Sequence, residues 1–177
     1  IRRPCFDYNN AKRFGESFRY FSINDADDFC GIIENNLFKE KLLRGEKVIA
    51  VELDPPYNAD AKKLVACAKT LSKQKVDIVT FADSPMGRSR ADSILTALHI
   101  REQAKLQVMP HICCRDKNRI AMRSLLLGAY MHELRNLLIV TGDPVPEENR
   151  KKVTGVFDYN SIRLMNYVSE MNTELFA

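Results

Sequence analysis

From Val48 onward, apolar runs of strand length alternate with longer stretches whose apolar positions recur at helical spacing. The runs Lys47–Leu53, Val76–Phe81, Gln107–Ile112 and Asn136–Thr141 are near-continuously apolar, the pattern of strands buried on both faces of a parallel sheet. Between them, Asn58–Gln74 places Leu64, Val65, Ala68 and Leu71 on one helix face. Arg90–Ala104 does the same with Ile94, Leu95, Leu98 and His99, and Lys117–His132 with Ile120, Leu125, Leu126 and Tyr130. Tyr159–Leu175 repeats the pattern with Ile162, Leu164, Met165 and Val168. Four βα units in a row predict an α/β fold with parallel strands and right-handed crossovers. The strands recur about every 30 residues, which suits a (βα)8 TIM barrel or a doubly wound sheet. A full barrel takes about 250 residues, so 47–177 reads as roughly the first four units of one.

Residues 1–46 differ in character. Ser22-Ile-Asn-Asp-Ala-Asp-Asp offers capping residues before an amphipathic stretch, Phe29 to Leu43, and predicts an N-terminal helical extension or interdomain linker. Starting at Ile rather than Met, the chain reads as a piece of a longer protein. Four strands alone would leave two open parallel edges, which are sticky. Pairing with a second copy, or extra helices over the edges, is therefore expected.

Composition removes several function classes. Hydrophobic residues are 45% and charged residues 28%, the balance of a globular domain. No apolar run approaches the roughly 20 residues that cross a bilayer, and no signal region opens the chain, so no membrane role is expected. The net charge of +4 is spread among acids, which argues against a nucleic-acid partner. Cys5, Cys30, Cys67, Cys113 and Cys114 are odd in number and contain no CxxC, so neither a disulfide framework nor a zinc site is predicted. This usage fits a reducing cytoplasm. The first strand lacks a Gly-rich turn and no GxxxxGK[ST] occurs, which excludes a Rossmann fingerprint and a P-loop.

In parallel α/β folds ligands bind beyond the carboxyl ends of the strands. Those ends carry Glu52 with Asp54, Thr80 with Asp83 and Ser84, His111 with Arg115 and Asp116, and Thr141-Gly142-Asp143. Glu52 lies inside the apolar run Lys47–Leu53 just before Pro55-Pro56, where a buried carboxylate costs several kcal/mol unless paired or protonated. Each residue also has a plain reading. Glu52 suits an internal ion pair, His111 a core position, Asp83-Ser84-Pro85 and Asp143-Pro144 turns, and Asp116 a helix cap.

Four segments in register resemble one family. They are Val51-Glu52-Leu53-Asp54-Pro55-Pro56, Val79-Thr80-Phe81-Ala82-Asp83-Ser84, Pro110-His111-Ile112-Cys113-Cys114-Arg115-Asp116 and Leu138-Ile139-Val140-Thr141-Gly142-Asp143-Pro144. Together they resemble methylenetetrahydrofolate reductase, closest to the bacterial bifunctional type in which a homocysteine methyltransferase domain precedes the reductase. The resemblance runs from about Phe38 to the C-terminus. It implies a flavin-dependent βα-barrel oxidoreductase of one-carbon metabolism with FAD as cofactor. It further implies methylenetetrahydrofolate as substrate and NAD(P)H as hydride source. In that family the first-strand glutamate, here Glu52, is the proton donor that lets the folate methylene bridge open before hydride arrives. Gly142 and Asp143 correspond to a pair beside the flavin and the pterin. Thr80 and His111 match residues lining the flavin, and Phe81, Ala82 and Asp83 fall in the same flavin-contacting loop. Thr141 stands where many members carry an arginine, and Arg115 on the same rim could substitute for it. The family's later strands supply further contacts, so an isolated fragment is expected to be inactive. The alternative is a non-catalytic folate- or phosphate-binding α/β module.

Overall fold

The computed structural model describes residues 36–176, preceded by the strand segments Phe6–Asp7 and Arg19–Ser22. Those two segments are β1 and β2. They are followed by α1 (Leu37–Leu43), β3 (Ile49–Leu53), α2 (Lys62–Leu71), β4 (Ile78–Phe81), α3 (Ser93–Ala104), β5 (Val108–Cys113), α4 (Arg119–Met131), β6 (Asn136–Val140) and α5 (Ser161–Phe176). One six-stranded sheet runs in the order β1-β3-β4-β5-β6-β2. Its four central strands are parallel and each is followed by a helix, as the alternating pattern predicts, so the α/β fold of successive βα units is present.

The N-terminal segment departs from expectation. Of the predicted Phe29–Leu43 helix, Leu37–Leu43 is helical, and the part before residue 36 lies outside the described residues. Two strands also come from this segment. β2 lies antiparallel on β6, from Arg19 opposite Ile139 to Ser22 opposite Asn136. β1 lies antiparallel on β3, with Phe6 opposite Ala50 and Asp7 opposite Ile49. Where extra helices or a second copy were expected over the edges, antiparallel strands of the same chain pair there instead. The chain's own strands thus pair with residues 136–139 of β6 and with Ile49 and Ala50 of β3.

Period-two alternation divides the strand residues between two faces. Val79, Phe81, Val108, Ile112, Leu137 and Ile139 point to the helices and pack with Ala68, Ile100, Met122, Leu126 and Leu164. The opposite face, the lumen side of a barrel, holds a smaller cluster. There Phe38 of α1 packs on Val48, Ile78 and Met109, flanked by Ala50 and Leu138. These residues sit toward the amino ends of the strands, so α1 closes that end and leaves the carboxyl ends to the polar residues.

Polar side chains set where the elements begin. Asp92, Asn118 and Asn160 accept from the backbone N–H groups of Leu95, Ala121 and Arg163, capping α3, α4 and α5. Asn36 caps α1 at the Lys39 amide and exchanges hydrogen bonds with Asn136 of β6. Asp77 accepts from the Ile49 amide at 2.8 Å and pairs with Lys41. Burial pushes the Asp77 carboxyl up, but Lys41 and the Ile49 amide outweigh it and hold it below the ordinary value.

Candidate active site

Register places the first predicted site residues together. Glu52 pairs directly with Thr80 across the β3–β4 ladder, and paired residues of a parallel ladder share a face. Thr80 in turn pairs with Met109, two residues before His111 on β5. Glu52, Thr80 and His111 therefore line the lumen face, above the layer closed by α1. Thr80 and His111 are buried, but Glu52 is exposed. The expectation of a buried Glu52 carboxylate is corrected here. Val51 and Leu53 turn toward the helices, while Glu52 turns to the part of the lumen face beyond Phe38.

His111 is the least satisfied polar side chain of this face. Only 6% of its surface is exposed, and its Nε2 has no hydrogen-bond partner among the described residues. Burial pulls its pKa down to about 4, so the ring is neutral at physiological pH. Ser93 of α3 fixes the strand beneath it by donating to the His111 carbonyl at 2.7 Å. A buried nitrogen without a partner calls for explanation, and a polar ligand is one.

The neighbouring candidates are built differently. Phe81 is fully buried in the helix-side core and presents only its main chain to the rim; Ala82, beside it, is also buried. Asp83 is largely committed inward. Its Oδ2 accepts from the Cys113 amide and from Lys117 Nζ, both at 2.9 Å. The following turn holds Ser84 and Met86 at φ of 46° and 56°, unusual for residues with side chains. The Met86 amide it exposes donates to Asp143 Oδ2 at 2.7 Å, joining the loops after β4 and β6.

Gly142 is required where it stands. Its φ is +93°, and a Cβ there would lie 2.1 Å from Cys113 Sγ. Thr141 caps a helix: its Oγ1 accepts from the Ser161 amide at 3.0 Å and donates to Ser161 Oγ at 3.2 Å. Arg115 is only 3% exposed. Its guanidinium donates to Ser84 O, Asp143 O and both carboxylate oxygens of Asp116. It is thus occupied within the rim, and the expectation that it replaces the missing arginine as a cofactor contact lacks support. This stitching escaped sequence reasoning; the Arg115-Asp116 pair beside a predicted strand end was its one visible trace.

Among the described residues no group of three or more His, Cys, Asp or Glu could hold a metal ion, and no helix is long and apolar enough to cross a membrane. A family model described as methylenetetrahydrofolate reductase matches residues 37–177. The chain belongs to the methylenetetrahydrofolate reductase family. Among curated relatives, the 5,10-methylenetetrahydrofolate reductase of Pectobacterium carotovorum subsp. carotovorum is 29% identical over 112 residues. That alignment covers 62% of this chain and 37% of the relative, so the chain spans well under half of that protein. The family match begins at α1, so the described part of this methylenetetrahydrofolate reductase segment is the closing helix, the four βα units and their rim.

Proposed function

We propose that residues 47–177 form the first half of a flavin-dependent reductase domain, with residues 1–46 as an extension before it. The whole domain reduces methylenetetrahydrofolate to methyltetrahydrofolate with hydride from NAD(P)H. The observation that carries this reading is the buried, unpartnered Nε2 of His111 on the lumen face of a chain of this family. The residues suit a flavin ring edge better than its phosphates. Neutral His111 can donate to or accept from a ring heteroatom, and Thr80 lies on the same face. Ala82, Phe81, Asp83 and Thr141 contribute at most through main chain or position, and Arg115 is taken. FAD, when bound, would relay hydride from the nicotinamide to the folate.

The chain's own residues account for the rest. Glu52 faces the lumen and gives a proton to the folate nitrogen that leaves when the methylene bridge opens. Its exposure gives that proton a path to and from solvent. Asp143, fixed after Gly142, places a carboxylate where cationic charge develops on the opened folate.

The intact protein purified from cells tests this reading. Yellow flavin absorbance and NADH oxidation with a quinone acceptor are expected, and the absence of both sinks it. Glu52→Gln should abolish folate reduction while most of the NADH-to-flavin step survives. Equal loss of both steps would make Glu52 structural. The exposure of Glu52 is also what a non-catalytic folate-binding module would show. Titration with folate and FAD separates the two, since tight folate binding without flavin would favour the module.

A further inference from the structure

We propose that Arg115 and Asp116 form a charge-neutral clamp that positions Asp143 by its main chain and keeps its carboxylate free of a paired cation in the site. The proposal rests on the role given to Asp143 above. Arg115 follows β5, yet its Nη1 donates to the Asp143 carbonyl at 3.2 Å and its Nη2 to the Ser84 carbonyl at 3.1 Å. Its own carbonyl accepts from the Val156 amide at 2.7 Å, and its amide donates to Cys113 Sγ. One residue thereby fixes the turns after β4 and β6 and the loop that follows.

The arrangement avoids the obvious pairing. A guanidinium within reach of Asp143 would ordinarily take the carboxylate, because charge-assisted bonds are about twice as strong as neutral ones. Here Asp116 takes the charge instead, through Nε at 2.7 Å and Nη2 at 2.6 Å. Asp143 is held by a cation at its carbonyl and by the neutral Met86 amide at its carboxylate. Its negative charge is not cancelled by a paired cation among the described residues. Without Asp116, the freed Nε–H and Nη2–H would be available to the Asp143 carboxylate and would compensate its charge while Nη1 keeps the Asp143 carbonyl.

Arg115→Lys and Asp116→Asn in the intact holoenzyme test this, with two kinetic readouts and one structural readout. Arg115→Lys keeps the charge but loses the fork. It should speed amide hydrogen exchange about tenfold in residues 84–88 and 141–146, leave the α3 and α4 amides unchanged, and slow folate reduction about 100-fold. Asp116→Asn should leave exchange in residues 141–146 near wild type, slow folate reduction at least about tenfold, and spare the NADH–quinone step. Unchanged exchange in Arg115→Lys, wild-type folate turnover in Asp116→Asn, or equal loss of both half-reactions would overturn the clamp. If the wild-type protein binds no flavin, the function proposed above fails, while the exchange comparison still decides whether Arg115 holds the two turns.

Discussion

Asp83 separates a cofactor contact from a scaffold residue, and its energetics can be worked from the structure. Its side chain is 7% exposed and that of its partner Lys117 is 18% exposed, so the 2.9 Å pair is largely screened from water. Replacing Asp83 by Ala strands two groups at once. The amide of buried Cys113 loses its acceptor, which costs about 1–3 kcal/mol, and a half-sunk ammonium loses its counter-charge, which costs about 3–5 kcal/mol when burial is complete. The two losses overlap, so Asp83→Ala should destabilise by about 4 kcal/mol, a large share of a typical stability of about 5–15 kcal/mol. Asp83→Asn keeps an acceptor for Cys113 and loses only the charge, so about 2 kcal/mol is expected. Lys117→Met added to Asp83→Asn removes the stranded ammonium and should recover part of that loss. Burial alone would lower the Lys117 pKa, but Asp83 outweighs it and the net shift is upward. On the alkaline side the pair's contribution is complete at neutral pH and declines as pH rises through the raised Lys117 value. Urea unfolding of the three variants measures all of this. An Asp83→Ala loss below about 1 kcal/mol would refute the reasoning, as would equal losses for Ala and Asn.

Three further outcomes follow from the site. His111 has a folded pKa of about 4 against an ordinary 6.5, so burying it neutral carries no proton-linked cost above pH 6.5 and destabilises the fold increasingly as pH falls toward 4. That amounts to about 3 kcal/mol, and a His111→Gln variant should flatten this part of the stability–pH curve measured by urea unfolding. Gly142→Ala meets both a left-handed φ and the Cys113 sulfur, so it should cost about 2–4 kcal/mol, and Cys113→Ala in the same chain should recover part of it by thermal melting. Thr141→Val removes the hydroxyl that caps α5 and should cost about 1 kcal/mol, seen as faster exchange of the Ser161 amide.

The parallel core was legible because β4 and β5 are buried along their whole length and α2, α4 and α5 each carry an apolar face. The ends of the elements were less so, for reasons visible at single residues. Val76 and Asp77 fall outside β4, and the Asp77 side chain there binds the Ile49 amide and Lys41. Asn58 and Asp60 form side-chain turns that delay α2 until Lys62, and Asp92, Asn118 and Asn160 set the starts of α3, α4 and α5. The four site strands were placed correctly, but the exposure of Glu52 was not, since local sequence does not say how far α1 extends over the lumen face. β1 and β2 were missed for a similar reason. Their partners lie more than forty and more than a hundred residues away along the chain, and such pairing leaves no local period.

The rim shows why a row of polar residues at strand ends is weak evidence for chemistry until each donor and acceptor is followed. Asp83 is spent on Cys113 and Lys117, Thr141 on Ser161, and Arg115 on two carbonyls and Asp116. These are closed networks, and closed networks rigidify. His111 Nε2 is an open valence in a buried place, and desolvation without a partner has no stabilising return within the described fold. The two kinds of residue depend on each other. The closed bonds hold Ser84, Met86, Gly142 and Asp143 in their turns, and the open one lies on the lumen face beside them. A ligand that satisfied His111 would therefore meet a rim already fixed, which is the preorganisation that electrostatic catalysis needs.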